Sequence, residues 1–310
     1  MGERPITFAG IDVGSNATKL SIWLIGPDGQ TRELTQKRFP MRLEDAFRSE
    51  AAEIGAAKAA RLIDMFREIA ELTRQMKAEY VRAVATEAFR SARNGPAVAA
   101  EIEHKTGLRV ETLTPQEEGR LVSDGVMLDF PGKERDFAII DVGGGSAQVI
   151  LPGARGPRTV SLPIGAVRLR TWFMPSDPIP PDEYEAMCGY VEDTVAEHVT
   201  SIDGRWSTSA IGVGGGARFL HAMCAVLKGS FQQDQPLRLD HLEHLTHVIW
   251  PLRADSLVRH YGIDLERAEI IIPGAVALLA IMKRLGVNMV KPSRRSVRDG
   301  LLVHFQRSRQ

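Results

Sequence analysis

The chain has 310 residues, enough for two domains of ordinary size that each bury a core. Lys plus Arg and Asp plus Glu both number 39, so no global charge draws the molecule to nucleic acid or to an anionic membrane. A hydrophobic share of 44% and a charged share of 25% are those of a globular protein. Met1 to Pro5 is polar, and the longest apolar run, Ile270 to Met282, is interrupted by Pro273-Gly274. The expectation is a soluble, cytoplasmic protein with no signal segment, no membrane span and no nucleic-acid partner. The two cysteines, Cys188 and Cys224, read as core thiols in a reducing compartment.

Apolar strand patterns are predicted at residues 6–12 and 18–25, with a Gly-Pro-Asp-Gly turn at Gly26 to Gly29 leading to a third strand from Gln30 to Arg38. An Ala-rich helical period covers 50–79, followed by a short strand from Val81 to Ala85. A helix is expected from Thr86, a break at Gly95-Pro96, a helix over 97–106 and a strand from Val110 to Leu113. Thr114-Pro115-Gln116-Glu117-Glu118 reads as a helix start, with Thr as N-cap, Pro in the first position and acids in the first turn. That helix, about 115–128, is the expected bridge to a second unit. The second unit restarts the same strand order at Phe137, with a second strand from Ala147 to Leu151. Then come a helix from Pro181 to Ser201, a strand from Ala210 to Val213, and helical segments over 218–226, 240–250 and 274–285. Val297 to Gln310 is amphipathic and is expected to pack back on the first unit. This order predicts an α/β protein of two βββαβα domains, residues 1–125 with 297–310 and residues 126–296.

One sentence of sequence occurs twice. Phe8-Ala9-Gly10-Ile11-Asp12-Val13-Gly14-Ser15-Asn16 and Phe137-Ala138-Ile139-Ile140-Asp141-Val142-Gly143-Gly144-Gly145-Ser146 are each a buried strand that ends in an acid and turns through Gly and Ser. Such hairpins point backbone N–H groups at one spot and suit phosphate oxygens, which makes Ser15, Asn16, Gly143, Gly144, Gly145 and Ser146 candidate phosphate contacts. Asp12 and Asp141 either hold Mg²⁺ through water or cap their own turns. A third glycine run, Gly214-Gly215-Gly216, follows a strand and precedes a helix, where free N–H groups accept an anion. Thr86, Arg90 and Asn94 recur every four residues and would share one helix face, either as a phosphate clamp or as a solvated surface. Glu117 and Glu118 either complement a helix dipole or supply a base for water, and the residues alone leave both open. His241, His244 and His247 read as the polar face of a helix rather than a metal site. Lys283, Arg284, Lys291, Arg294, Arg295 and Arg298 are either a polyanion-steering patch or ordinary surface.

Taken together, these motifs resemble the exopolyphosphatase / guanosine pentaphosphate phosphohydrolase (Ppx/GppA) family of the actin–hexokinase–Hsp70-like superfamily. The resemblance rests on Asp12 to Asn16, Ala85-Thr86-Glu87-Ala88-Phe89-Arg90-Ser91-Ala92-Arg93-Asn94, Glu117 to Leu121, Asp141 to Ser146, Gly165-Ala166-Val167-Arg168-Leu169, Gly212 to Ala217, Pro273-Gly274-Ala275 and Val297 to Leu302. It implies two actin-like (ribonuclease H-like) domains with an interdomain cleft, and Mg²⁺-dependent release of terminal phosphate from inorganic polyphosphate or guanosine pentaphosphate. By position it makes Glu118 the water-activating base, Asp141 its partner for water and metal, and Gly144, Gly145, Ser146, Ser15, Asn16 and Arg90 phosphate contacts. It also implies guanosine tetraphosphate as a possible ligand and a homodimer as a possible assembly.

The departures from the family pattern are specific. Ala147-Gln148 stands where Thr-Glu is usual, Ala17 where a hydroxyl residue follows the Asn, and Arg170-Thr171 where a Thr-Glu pair is common. Arg294-Arg295 replaces a more acidic or small pair. An amide at Gln148 supplies oxygen without charge and leaves a weaker cation site. The alternative that follows is a binding protein, sensing polyphosphate or a guanosine polyphosphate without turnover.

Overall fold

The computed structural model describes residues 4–49, 51–132, 137–153, 156–199, 209–228 and 235–309. They form two compact units, one taking in the described residues up to Leu128 and those from Arg295 onward, the other running from Asp129 to Arg294.

In the first unit, strands β1 (Ile6–Val13), β2 (Ala17–Ile25) and β3 (Thr31–Pro40) make an antiparallel meander. Helix α1 (Ala56–Gln75), strand β4 (Tyr80–Ala85), helices α2 (Glu87–Ser91) and α3 (Gly95–Thr106), strand β5 (Val110–Thr112) and helix α4 (Pro115–Met127) follow. The sheet order is β3-β2-β1-β4-β5, with β4 parallel to β1 and β5 parallel to β4. Burial follows from position in the sheet: central β1 is apolar and buried along nearly its whole length, whereas edge strand β3 is mostly exposed and polar.

The second unit repeats this plan with β6 (Ala138–Val142), β7 (Ala147–Leu151), β8 (Arg158–Leu162), α5 (Ala166–Phe173), α6 (Pro181–His198), β9 (Ser209–Val213), α7 (Gly214–Lys228), β10 (Leu237–Arg238), α8 (Leu239–Ile249), α9 (Ala254–Tyr261), α10 (Leu265–Leu285) and β11 (Met289–Pro292). Its sheet runs β10-β11-β9-β6-β7-β8. Read from the other edge, β8-β7-β6-β9-β11 matches β3-β2-β1-β4-β5 in order and in direction, with β10 added at the rim. The doubled phrase in the sequence is therefore the visible part of a doubled sheet. The core of this unit gathers the inward faces of β6, β7 and β9 under α6 and α10, through residues such as Ile140, Val149, Val191, Leu278 and Ile281.

Several elements differ from expectation. Helix α10 begins at Leu265 and reads straight through Pro273-Gly274. Proline costs one backbone donor inside a helix, but nearly every residue from Ala268 to Met282 is buried, and that burial outweighs the lost bond. Helix α7 begins at Gly214, so the third glycine run is a helix's first turn and not a loop ahead of it. Strands β8 and β11 and helices α5 and α9 carry too few periodic residues to stand out in the sequence. The predicted helix end at Ser201 lies outside the described residues.

The last helix, α11 (Val297–Arg307), packs on α4 and β1 within the first unit. Contact with α4 is close because glycine meets backbone: a β-carbon on Gly300 would collide with the carbonyl of Leu121, and one on Gly125 would stand 2.7 Å from the Ser296 carbonyl oxygen. Asp124 on α4 then takes His304 Nε2 and Arg307 Nη1 of α11, each at 2.8 Å. Phe8 of β1 stacks on Phe305 with ring centroids 4.6 Å apart. Gly300→Ala is expected to force these helices apart and to cost about 1–3 kcal/mol, the usual range for overpacking. Urea unfolding checks it; an unchanged midpoint would show that α11 is not held by close backbone approach.

Candidate functional site

The two hairpin loops are built alike. Gly14 N–H donates to Ala17 O at 3.2 Å and Gly143 N–H to Ser146 O at 3.0 Å, closing the same four-residue turn. In each case the loop carbonyls are tied from behind. In the first unit Leu43 N–H donates to Ser15 O at 2.8 Å and Met41 N–H to Asn16 O at 3.3 Å, from the segment that follows β3. In the second, the opening turn of α5 does this work: Ala166 N–H binds Gly143 O at 2.9 Å, and Val167 N–H binds Gly144 O at 2.8 Å. Arg168, itself buried, adds Nε to Gly145 O at 2.8 Å. Among the described residues, the N–H groups of Ser15, Asn16, Gly144, Gly145 and Ser146 donate to nothing. Unclaimed donors on a fixed backbone make an anion cradle.

Gly165 shows how tightly the second cradle is held. A β-carbon there would run into the Gly145 carbonyl carbon, the Ser146 nitrogen and the Gly144 oxygen. The helix therefore reaches the loop only because residue 165 lacks a side chain.

Around the first loop, the carboxyl ends of parallel strands β1, β4 and β5 converge, the usual place for ligands in such sheets. Thr86 caps α2 and its N–H donates to Val13 O at 3.2 Å. The expected common face of Thr86, Arg90 and Asn94 is not formed. Helix α2 stops at Ser91, Ala92 is extended, and α3 begins at Gly95 with Pro96 in its first turn. Asn94 lies at the junction with its carboxamide turned to the backbone of Ile54, accepting from N–H at 2.8 Å and donating to O at 2.9 Å. Its observed role is to anchor the segment before α1, and both ends of its amide are spent on that.

Arg90 and Glu118 are brought together instead. Arg90 Nη1 lies 2.8 Å from Glu118 Oε2 and 2.7 Å from Leu113 O, while Nη2 binds Glu87 Oε2 at 2.8 Å. Glu118 is 8% exposed. Its neighbour Glu117 closes a capping box with Thr114: Glu117 N–H donates to Thr114 Oγ1 at 3.2 Å, and Thr114 N–H donates to Glu117 Oε2 at 2.8 Å. The Thr114 hydroxyl first, then its N–H, hold the Glu117 carboxyl below its ordinary value. Of the two acids that the sequence left undecided, Glu117 caps the helix and Glu118 is the buried, oriented carboxylate.

Asp12 is buried and faces Lys19 across the β1–β2 pair, with Nζ 4.0 Å from Oδ2. Asp141 faces Gln148 at the same register of the β6–β7 pair. Asp141 Oδ1 lies 3.0 Å from where a β-carbon on Gly214 would sit, so the second loop's acid abuts the start of α7. Two arginines also gather there that sequence reasoning did not select. Arg267 lies over Phe219 at 4.1 Å and closes on Gly215, while burial and then the like charge of Arg294 draw the Arg218 guanidinium below its ordinary value. At the first loop Arg42 was also missed; its Nε reaches Asn16 Oδ1 at 3.5 Å. Arg42 and Arg267 lie far from these loops in sequence, and Arg218, though it follows the third glycine run, belongs to no local motif.

The basic run near residue 290 does not form one surface. Lys283 pairs with Glu243, Lys291 lies over Phe130, Arg295 pairs with Asp299, and Arg298 is buried against Ser21. Cys188 and Cys224 are both free thiols. For Mg²⁺ the donor set is one carboxylate, Asp141, beside a neutral amide, while Asp12 already faces an ammonium. Such a set fits a Mg²⁺ that takes its other ligands from phosphate and water, not an all-protein cage.

Known proteins share this architecture. The model of the Ppx/GppA phosphatase family matches residues 27–308. Exopolyphosphatase 1 of Mycobacterium tuberculosis is 25% identical over 297 residues, covering 94% of this chain and 86% of that protein. A guanosine-5'-triphosphate,3'-diphosphate pyrophosphatase of Photobacterium profundum is 23% identical, covering 97% of this chain and 60% of that longer protein. Among solved structures, the Ppx/GppA family member of Aquifex aeolicus has a TM-score of 0.78 at 23% identity, with 99% of both chains covered. An exopolyphosphatase of Cytophaga hutchinsonii has a TM-score of 0.86 at 21% identity, covering 97% of this chain and 98% of that one.

Gly165→Ala tests the cradle directly. The variant is expected to fold, as judged by circular dichroism, yet to bind inorganic tripolyphosphate at least about tenfold more weakly, the loss of one or more charge-assisted hydrogen bonds. Unchanged affinity by calorimetry would mean that the loop held by α5 does not take phosphate.

Proposed function

Because the chain belongs to the Ppx/GppA phosphatase family, we propose that it hydrolyses a phosphoanhydride bond and releases the terminal phosphate of inorganic polyphosphate or of guanosine pentaphosphate. The observation that carries the reading is the pair of like-built loops whose carbonyls are tied back and whose N–H groups are unclaimed. Phosphoryl transfer asks a protein mainly to position the group, neutralise its charge and orient a water. The two loops would hold phosphate oxygens, through Ser15 and Asn16 in one and Gly143 to Ser146 in the other, with the turn Gly214 to Gly216 as a third donor set.

Glu118 would take the proton of the attacking water. It is buried and fixed by Arg90, which suits a group that must meet one water in one direction. Arg90 is in turn a cation that a phosphate would compete for, so ligand binding would loosen its hold on Glu118. Asp141 would orient the water and hold Mg²⁺, which when bound supplies neutralisation of the phosphoryl charge. The exopolyphosphatase and the guanosine pentaphosphate pyrophosphatase among the relatives support both substrate classes.

A second reading has its own observation. Gln148 is buried beside Asp141 with no hydrogen-bond partner for its amide among the described residues. On this reading the chain binds polyphosphate or a guanosine polyphosphate as a sensor, and Gln148→Glu would confer turnover.

A phosphate-release panel over polyphosphate, guanosine pentaphosphate and ATP, with and without Mg²⁺, separates the two. The hydrolase reading expects release from one of the first two substrates, and a loss of about a hundredfold or more in Glu118→Ala, the usual weight of a general base. Release that survives Glu118→Ala removes Glu118 from the mechanism. Tight binding with no release by the wild-type chain favours the sensor.

A further inference from the structure

The two hairpins share one register and differ in what they place opposite the acid. Asp12 pairs across the strands with Lys19, and Asp141 with Gln148. Cross-strand partners stand side by side on one face of the sheet. Gln148 is 2% exposed, and neither its Oε1 nor its Nε2 has a hydrogen-bond partner among the described residues. Buried amides with both ends unmet are rare in native proteins, and each calls for an explanation. The same face holds Asp141, which touches the start of α7 at Gly214. Carboxylate and helix start thus meet, with Gln148 at the paired position of the neighbouring strand.

The chemistry of that meeting favours a phosphate over a bare cation. Mg²⁺ prefers charged oxygens, and Gln148 offers it one neutral oxygen with a donor N–H₂ attached. Among the described residues, no three His, Cys, Asp or Glu side chains are placed to share a metal ion. The N–H₂ group is a good donor to a phosphoryl oxygen, and the amide oxygen can accept from a water that hydrates the cation.

We propose that Gln148 makes the second loop a reader of the phosphate–cation complex: its Nε2 donates to a phosphoryl oxygen, and the divalent cation arrives bound to the polyphosphate instead of residing on the protein. This rests on the phosphate-binding reading of the loops given above. At the first hairpin the residue paired with the acid is instead a cation, Lys19.

Two calorimetric titrations of the whole chain test it. The first adds Mg²⁺ alone to metal-free protein. Wild type is expected to show no saturable binding across the millimolar range, and Gln148→Glu to bind at least about tenfold more tightly through its second carboxylate. Equal Mg²⁺ affinity in the two proteins overturns the inference. This arm involves no phosphate, so it stands or falls independently of the hydrolase reading.

The second titration adds imidotriphosphate, whose P–N–P bridges resist cleavage, with Mg²⁺ or with chelator. Wild type is expected to bind in both media but more tightly with Mg²⁺, and equal affinity in the two overturns the reading of a phosphate–cation complex. Gln148→Glu should lose about tenfold or more in chelator, where two carboxylates face phosphate, and recover with Mg²⁺. Gln148→Met, similar in length and without a donor, should lose cation-free binding and gain no Mg²⁺ affinity. Equal weakening of Gln148→Glu in both media overturns the donor role. No binding by wild type in either medium overturns that role together with the phosphate reading, while the Mg²⁺ titration still decides the cation.

Discussion

Everything proposed for this protein depends on one constraint: the carbonyl oxygens of two short loops are held from behind. A Gly-rich turn alone is flexible, and its N–H groups would point wherever entropy allowed. In the first unit the segment at Met41 and Leu43 holds the carbonyls of Asn16 and Ser15. In the second, the first turn of α5 and the buried Arg168 hold those of Gly143, Gly144 and Gly145. Different parts of the chain solve the same problem in the two units. The shared requirement is a fixed backbone, and glycine at 165 is what lets a helix end come near enough to provide it.

On that common frame the two hairpins have diverged electrostatically. Lys19 stands opposite Asp12 with its Nζ 4.0 Å from the carboxylate, whereas the residue opposite Asp141 is the amide Gln148. On the proposed reading, a polyanion would meet an acid paired with a lysine at one loop and an acid paired with an amide at the other, which would give the two loops unlike roles.

Much of this was legible in the sequence because it is local. The Asp-Val-Gly phrase, its strand context and the Thr114 capping signal are contiguous, and the doubled phrase anticipates the doubled sheet. What the sequence hid was tertiary. A spacing of four across Thr86, Arg90 and Asn94 imitates a helix face, but extended Ala92 and the new start at Gly95-Pro96 break it, and Asn94 turns to Ile54. The residues alone left Glu117 and Glu118 open, and only the family resemblance pointed to Glu118, because the contact that orients it comes from Arg90, 28 positions away. Arg42, Arg218 and Arg267 escaped notice because ordinary arginines acquire meaning only from the loop they are folded against.

Gln148 shows why such a position is informative even without a ligand in view. An unmet buried donor or acceptor costs about 1–3 kcal/mol, and this side chain carries one of each. Against a total stability of about 5–15 kcal/mol that is a substantial load for a position where leucine or methionine would fill the same space. Stability gives no reason to keep an amide there. A partner that meets both ends of it does, and an anion carrying a hydrated cation, placed beside Asp141, suits that role. On the proposed reading, the amide that would disfavour a resident metal argues for a metal-bearing phosphate, which makes Gln148 informative about the ligand.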